Sequence, residues 1–232
     1  MSTIIDTFIA PPCHDDIEII EQDEHLIIIN KPSGLLSLSG KNPQNLDSVH
    51  YRLVQLFPEC TLVHRLDFGT SGVMVVARNK AINAELCRQF SQRTVTKAYS
   101  ALLCGHVEND HGVIDAPIAK DPALFPRMSI CVTHGKPARS NYQVIERFYR
   151  ELDDGRKLPL TRVKFIPETG RTHQLRIHSQ LFGHPILGCD LYGGLLPADI
   201  EPAPRLMLHA SELNFIHPIT GKPIHAHSKS PF

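Results

Sequence analysis

Apolar residues in this chain come in short runs, and that spacing narrows the fold more than any other feature. Runs of four to seven residues lie at Ile17–Ile20, Leu26–Ile29, Val73–Ala77, Ala98–Cys104, Val113–Ile118, Met128–Val132, Tyr142–Phe148, Leu160–Ile166, Leu206–His209 and Leu213–Ile216. Runs of that length fit β-strands and are too short for most helices. Helical spacing shows in three places. Val49, Leu53, Leu56 and Phe57 recur through Asp47–Phe57 until Pro58 stops the run. Asn79 can cap a second helix with its stripe at Ile82, Leu86 and Phe90. A third, Thr172–Phe182, has Gly170 and Thr172 at its start and Gly183 and Pro185 past its end. Many strands and few helices, not strictly alternating, predict an α+β fold on a mixed, largely antiparallel sheet.

With 232 residues, 42% of them apolar, the chain can bury a sizeable core in one domain. No apolar run approaches the roughly 20 residues that span a bilayer. Met1–Ala10 carries Asp6 and no basic segment, unlike a secretory signal, so the expectation is a cytoplasmic protein without membrane contact. The six cysteines are scattered with no C-x-x-C pair, which argues against a zinc ribbon or redox motif and for reduced thiols. The zero net charge hides an asymmetry. Seven acids and no Lys or Arg precede residue 25, leaving 24 basic residues against 17 acidic ones in the body. Such a body suits a polyanion, though weakly.

Four segments could carry chemistry. Val63–Gly72 sets His64, Arg65 and Asp67 in a tight loop ahead of the Val73–Ala77 strand; alone it reads equally as a salt-bridged turn. Thr169–His178 crowds Arg171, Arg176, His173 and His178 at one helix start, suited to a carboxylate or phosphates or else to solvent. Lys97 and Tyr99 share one face of a strand. Lys31-Pro32-Ser33-Gly34 is a turn without the Gly-rich run of a phosphate-binding loop.

In this order and spacing the segments resemble the RluA family of pseudouridine synthases. His64–Asp67 with Thr70–Gly72 is similar to its H-R-L-D and T-S-G signature, and Lys31–Gly34 to its K-P-x-G turn. Lys97 and Tyr99 match K-x-Y, Gly170–Arg176 matches G-R-x-H-Q-L-R, and His184–Gly188 and Arg205–Ala210 are also typical. There is one departure. Relatives carry Asp directly after the His184–Gly188 glycine, where this chain has Cys189 and then Asp190, with Tyr192 retained. About thirty residues precede Lys31, too few for the S4 RNA-binding domain of many members. The resemblance therefore implies a flexible arm over 1–14 and a catalytic domain over 15–232, as in the minimal members.

The family's reaction breaks the N1–C1′ bond of a uridine, turns the uracil and rejoins it through C5, which requires the base to leave its stack. The resemblance implies that Asp67 is the catalytic carboxylate, attacking C1′, adding to the ring or acting on the sugar as the bond breaks. It implies that Arg176 is the ion-pair partner of Asp67 and that Tyr99 stacks on the base and assists removal of the C5 proton. Leu175 would form an apolar wall and Arg65 would fill the gap left by the base. His64, Arg171 and Lys97 would also bind RNA, while Lys31 and Pro32 would shape the site. All bonds broken are remade in one molecule, so no cofactor or metal is expected. The implied partner is a stem-loop of large-subunit ribosomal RNA, a tRNA anticodon stem-loop or both, and the implied state is a monomer. The rivals are a non-catalytic RNA-binding module of the same fold and a hydrolase using Ser71, His64 and Asp67, which lacks a G-x-S-x-G elbow.

Overall fold

The computed structural model describes residues 8–40, 42–124, 126–193 and 203–232, so the first half of the expected arm lies outside the described residues. The chain divides into two compact units: Met1–Val95 with Leu213–Lys229, and Thr96–Glu212 with Ser230–Phe232.

In the first unit, β1 (Glu18–Gln22) and β2 (Leu26–Lys31) form a hairpin, and β2 pairs antiparallel with β4 (Ser71–Ala77). The β2–β4 register sets Leu26 opposite Ala77 and Lys31 opposite Gly72, which brings the Lys31 turn to the mouth of the Val63–Gly72 loop. Every residue of β4 is buried, as its unbroken apolar run predicts. Helix α1 (Val49–Val54) is capped by Ser48. Helix α2 (Lys80–Ser91) is capped by Asn79, whose side chain accepts the Ile82 N–H at 3.0 Å. Its Ile82 and Leu86 meet Leu26, Ile28, Val73, Val75, Leu213 and Phe215 in one core cluster, with Phe90 packed against it. Each such side chain contributes about 1.5–3 kcal/mol, more than any single hydrogen bond in the unit. The unit adds a two-residue β3 (Thr61–Leu62) on β4.

In the second unit, β5 (Thr96–Cys104), β10 (Lys157–Pro167), β9 (Arg139–Glu151) and β6 (His111–Asp115) are neighbours in that order, all antiparallel. The short β7 (Ile118–Lys120) and β8 (Met128–Ile130) pair separately. Helix α3 (Gln174–Leu181) adds Leu175 and Ile177 to a core with Leu103, Val163, Phe165, Ile186 and Tyr192. Strand β11 (Leu208–Ile216) begins in this unit, and its second half, with β12 (Pro223–His227), belongs to the first.

The expected α+β class with a mixed, largely antiparallel sheet and few helices is the one found. Three details differ. The two strands expected at 206–209 and 213–216 are one, because His209, Ser211 and Glu212 stay within the ladder despite their polarity. Beyond the last expected strand, the tail holds β12, where no strand-like run is expected. Helix α3 begins two residues late, since His173 adopts a left-handed φ of 55° that no helix continues through. All six cysteines are free thiols. No helix among the described residues is long and apolar enough to cross a membrane.

Candidate active site

In the first unit the Val63–Gly72 loop is held by the turn after β2. Ser33 Oγ donates to the Gly69 carbonyl at 2.7 Å, and the Gly34 N–H donates to the Phe68 carbonyl at 2.9 Å. Ser37 Oγ donates to the Leu66 carbonyl at 2.7 Å and accepts the Leu66 N–H at 3.1 Å, clamping both sides of the residue before Asp67. The Asp67 carbonyl accepts the Thr70 N–H at 3.1 Å, closing a tight turn under its own side chain. Lys31 is fully buried, and its Nζ donates to the carbonyls of Leu35 at 2.6 Å, Pro32 at 2.9 Å and Phe68 at 3.3 Å. A buried ammonium is costly unless surrounded by acceptors, and here those acceptors belong to the turn and the loop it holds. Gly34 needs its φ of +77°, which a side chain would strain.

Asp67 is half-buried on this clamped backbone, and Arg65 beside it is exposed. The His64 ring is engaged within the unit. Its Nε2 accepts the Val75 N–H at 3.1 Å, and it stacks on Phe90 with centroids 4.8 Å apart.

In the second unit Tyr99 lies opposite Phe165 in the β5–β10 ladder and packs on the main core, half-buried. Lys97 is on the same strand face, and burial pulls its ammonium below its ordinary range. A Cβ on Gly170 would stand 3.4 Å from Lys97 Nζ, an ordinary contact distance, so the lysine head lies beside the turn into α3. The turn into α3 is held by Gln174. Its Oε1 accepts the Thr169 hydroxyl at 2.7 Å and the Arg171 N–H at 3.0 Å, and its Nε2 donates to the Arg139 carbonyl and Ser140 Oγ. Ser140 in turn bonds His178 Nδ1 at 3.0 Å, and His178 Nε2 donates to the Ala116 carbonyl at 3.0 Å. That carbonyl can only accept, so Nε2 carries a proton, and burial disfavours a second proton on Nδ1. Arg171 Nε donates to the Pro137 carbonyl, Leu175 is buried in the core, and Arg176 is buried beside it.

Arg176 Nη2 forms an ion pair with Asp190, and its Nε donates to Cys189 Sγ at 3.3 Å. Its guanidinium carbon lies 5.4 Å from the centre of the Tyr192 ring. Tyr192 is itself fixed: its hydroxyl accepts the Met128 N–H at 2.7 Å and bonds His173 Nδ1 at 3.0 Å. Asp190 and Tyr192 are partners that sequence reasoning missed for Arg176. Their only signal was the displaced acid after Gly188, in the stretch where the family pattern departs.

Residues 25–181 match the family model described as RNA pseudouridylate synthase. Over 214 residues the chain is 46% identical to the dual-specificity RNA pseudouridine synthase RluA of Yersinia pestis, covering 92% of this chain and 99% of that protein. The chain belongs to the RluA family of RNA pseudouridine synthases. It is an isomerase acting on RNA. The RluA of Escherichia coli K12 is 42% identical to this pseudouridine synthase over 211 residues, 91% of the chain and 92% of that protein. Among solved structures, Human RNA Pseudouridylate Synthase Domain Containing 1 matches with a TM-score of 0.77 at 31% identity, covering 96% of this chain and 86% of that one. Human RNA Pseudouridylate Synthase Domain Containing 4 gives 0.70 at 26%, covering 92% and 88%. The first unit of this RluA-family chain thus gathers Lys31, Pro32, His64, Arg65 and Asp67, and the second gathers Lys97, Tyr99, Arg171, Leu175 and Arg176.

Proposed function

We propose that this RluA-family enzyme has two kinds of target, a stem-loop of large-subunit ribosomal RNA and a tRNA anticodon stem-loop, with Asp67 as its catalytic carboxylate. The dual specificity printed in the names of the Yersinia and Escherichia relatives supports more than one target. The observation that carries the role of Asp67 is its backbone: clamped at Leu66, Phe68 and Gly69, it holds a reacting oxygen still. Asp67 opens the reaction at the sugar or the ring, and Arg176, which cannot lose its proton, is the cation that the resemblance assigns to it. Tyr99 stacks on the extruded uracil and helps remove the C5 proton. Arg65, exposed on its loop, follows the extruded nucleotide into the RNA, and His64, Lys97, Arg171 and Leu175 are the further residues that the resemblance assigns to RNA binding. Lys31 and Pro32 shape the loop from beneath. The N1–C1′ and C5–H bonds that break are replaced by C5–C1′ and N1–H bonds in the same nucleotide, so the balance calls for no redox partner or hydrolytic water. The catalytic domain over 15–232 contacts the RNA, as a cytoplasmic monomer.

The test uses two transcripts, a ribosomal stem-loop and a tRNA anticodon stem-loop, each incubated with the purified chain and mapped for pseudouridine. Modification at one uridine in each is the expected result. Turnover of only one transcript overturns the two-target reading, and modification scattered over many uridines overturns recognition of a stem-loop.

A further inference from the structure

The Arg176 guanidinium is a fixed positive charge in a buried place: its side chain is only 6% exposed, whereas Asp190, its ion-pair partner, is 77% exposed. A buried guanidinium cannot discharge itself, so it needs a counter-charge and acceptors at hand. Asp190 supplies the charge from a solvated position, where its own desolvation is slight. Cys189 Sγ takes the Nε–H at 3.3 Å and the Tyr192 ring lies 5.4 Å from the guanidinium carbon, so three consecutive contacts come from one four-residue stretch. That stretch is anchored at both ends. Gly188 has φ +75° and passes so close to the Arg205 carbonyl that a Cβ would lie 2.0 Å from its oxygen. Tyr192 is tied by its hydroxyl to Met128 and His173.

We propose that Asp190 is a positioning residue for the isomerisation, orienting the Arg176 guanidinium through the Cys189–Tyr192 turn without touching RNA itself. The proposal rests on the assignment of Arg176 to the reaction made above. The turn sets the Cys189 thiol against Nε and the carboxylate of the next residue against Nη2, so adjacent residues fix two different nitrogens of the guanidinium. Asp190 is itself solvated and an asparagine there can still accept the Nη2–H, so Asp190→Asn removes the charge that orients Arg176 while leaving the buried guanidinium a hydrogen-bond acceptor and sparing most of the fold.

The experiment measures tritium release from stem-loop RNA containing [5-3H]uridine, giving kcat and KM for wild type, Asp190→Asn, Asp190→Glu and Arg176→Lys. Asp190→Asn is expected to lower kcat at least ~10-fold, with KM within about 2-fold of wild type, because a misaimed guanidinium costs rate and not RNA affinity. Its thermal midpoint should stay within about 2 °C of wild type. Asp190→Glu, which keeps the charge, should recover kcat to within about 3-fold of wild type. Unchanged kcat in Asp190→Asn overturns the proposal. So does a rise in KM alone, which would place Asp190 on the RNA, and so does a Glu variant as slow as Asn. Arg176→Lys separates the two levels: full turnover there removes Arg176 from the reaction, whereas loss there with an undiminished Asp190→Asn refutes only the role of Asp190.

Discussion

The surroundings of Asp67 and of Arg176, one in each unit, are held by different means. Around Asp67 the loop is fastened by backbone carbonyls to a turn some thirty residues earlier, through Lys31, Ser33 and Ser37. Around Arg176 the fastening is made by side chains: the buried Thr169, Gln174, Ser140 and His178 on one side, the buried Tyr192 and the exposed Asp190 on the other. A backbone clamp fixes where a loop runs and so where its half-buried Asp67 carboxylate sits. A side-chain relay fixes a guanidinium whose charge would otherwise be intolerable in the core. Damage to the first should therefore be local, and damage to the second should spread.

The largest expected effect is at Gly188. Gly188→Ala meets both the left-handed φ and the Arg205 carbonyl at 2.0 Å, and should lower the unfolding free energy by more than ~3 kcal/mol, read from denaturant midpoints. A loss below about 1 kcal/mol would mean that the Arg176 side of the comparison is loosely held. Next is Lys31→Met, which keeps bulk but leaves the Leu35, Pro32 and Phe68 carbonyls without their shared donor, at a cost of roughly 3 kcal/mol by the same measurement.

The third concerns His178. Desolvation holds its imidazole below the ordinary 6.5, outweighing the Ala116 carbonyl and the Asp115 charge, which both act upward. The unfolded chain therefore takes a proton that the folded chain resists. Its contribution to stability is complete above about pH 6.5 and is lost as the pH falls below it, by at most about 1.4 kcal/mol per pH unit. Unfolding measured from pH 8 to 5 should show that slope, and His178→Asn should flatten it. The smallest effect is Gly34→Ala. Its Cβ would meet nothing within 4 Å, so only the φ of +77° is strained, at about 1 kcal/mol.

The same contrast explains how much was legible in the sequence. Strands with unbroken apolar runs, such as β4, and the Asn79-capped α2 follow from local pattern, because burial acts directly on those side chains. Strand β12 was not legible: among Pro223–His227 only Ala226 is buried, which leaves too little alternation to read. The start of α3 escaped because His173 turns left-handed and Gln174, not Thr172, satisfies the turn. The Asp67 loop was readable since its residues lie together in the chain. The contact of Arg176 with Asp190 was not, because the two residues lie fourteen positions apart in the stretch where the family pattern departs, and only three-dimensional geometry joins them.

The most direct test of the whole account is single-turnover pseudouridine formation by Asp67→Asn, an isosteric change that removes only the negative charge. Product formation should fall by on the order of 10⁴-fold or more, with RNA affinity and thermal midpoint close to wild type. Turnover within about tenfold of wild type would contradict the assignment of the reacting carboxylate to Asp67.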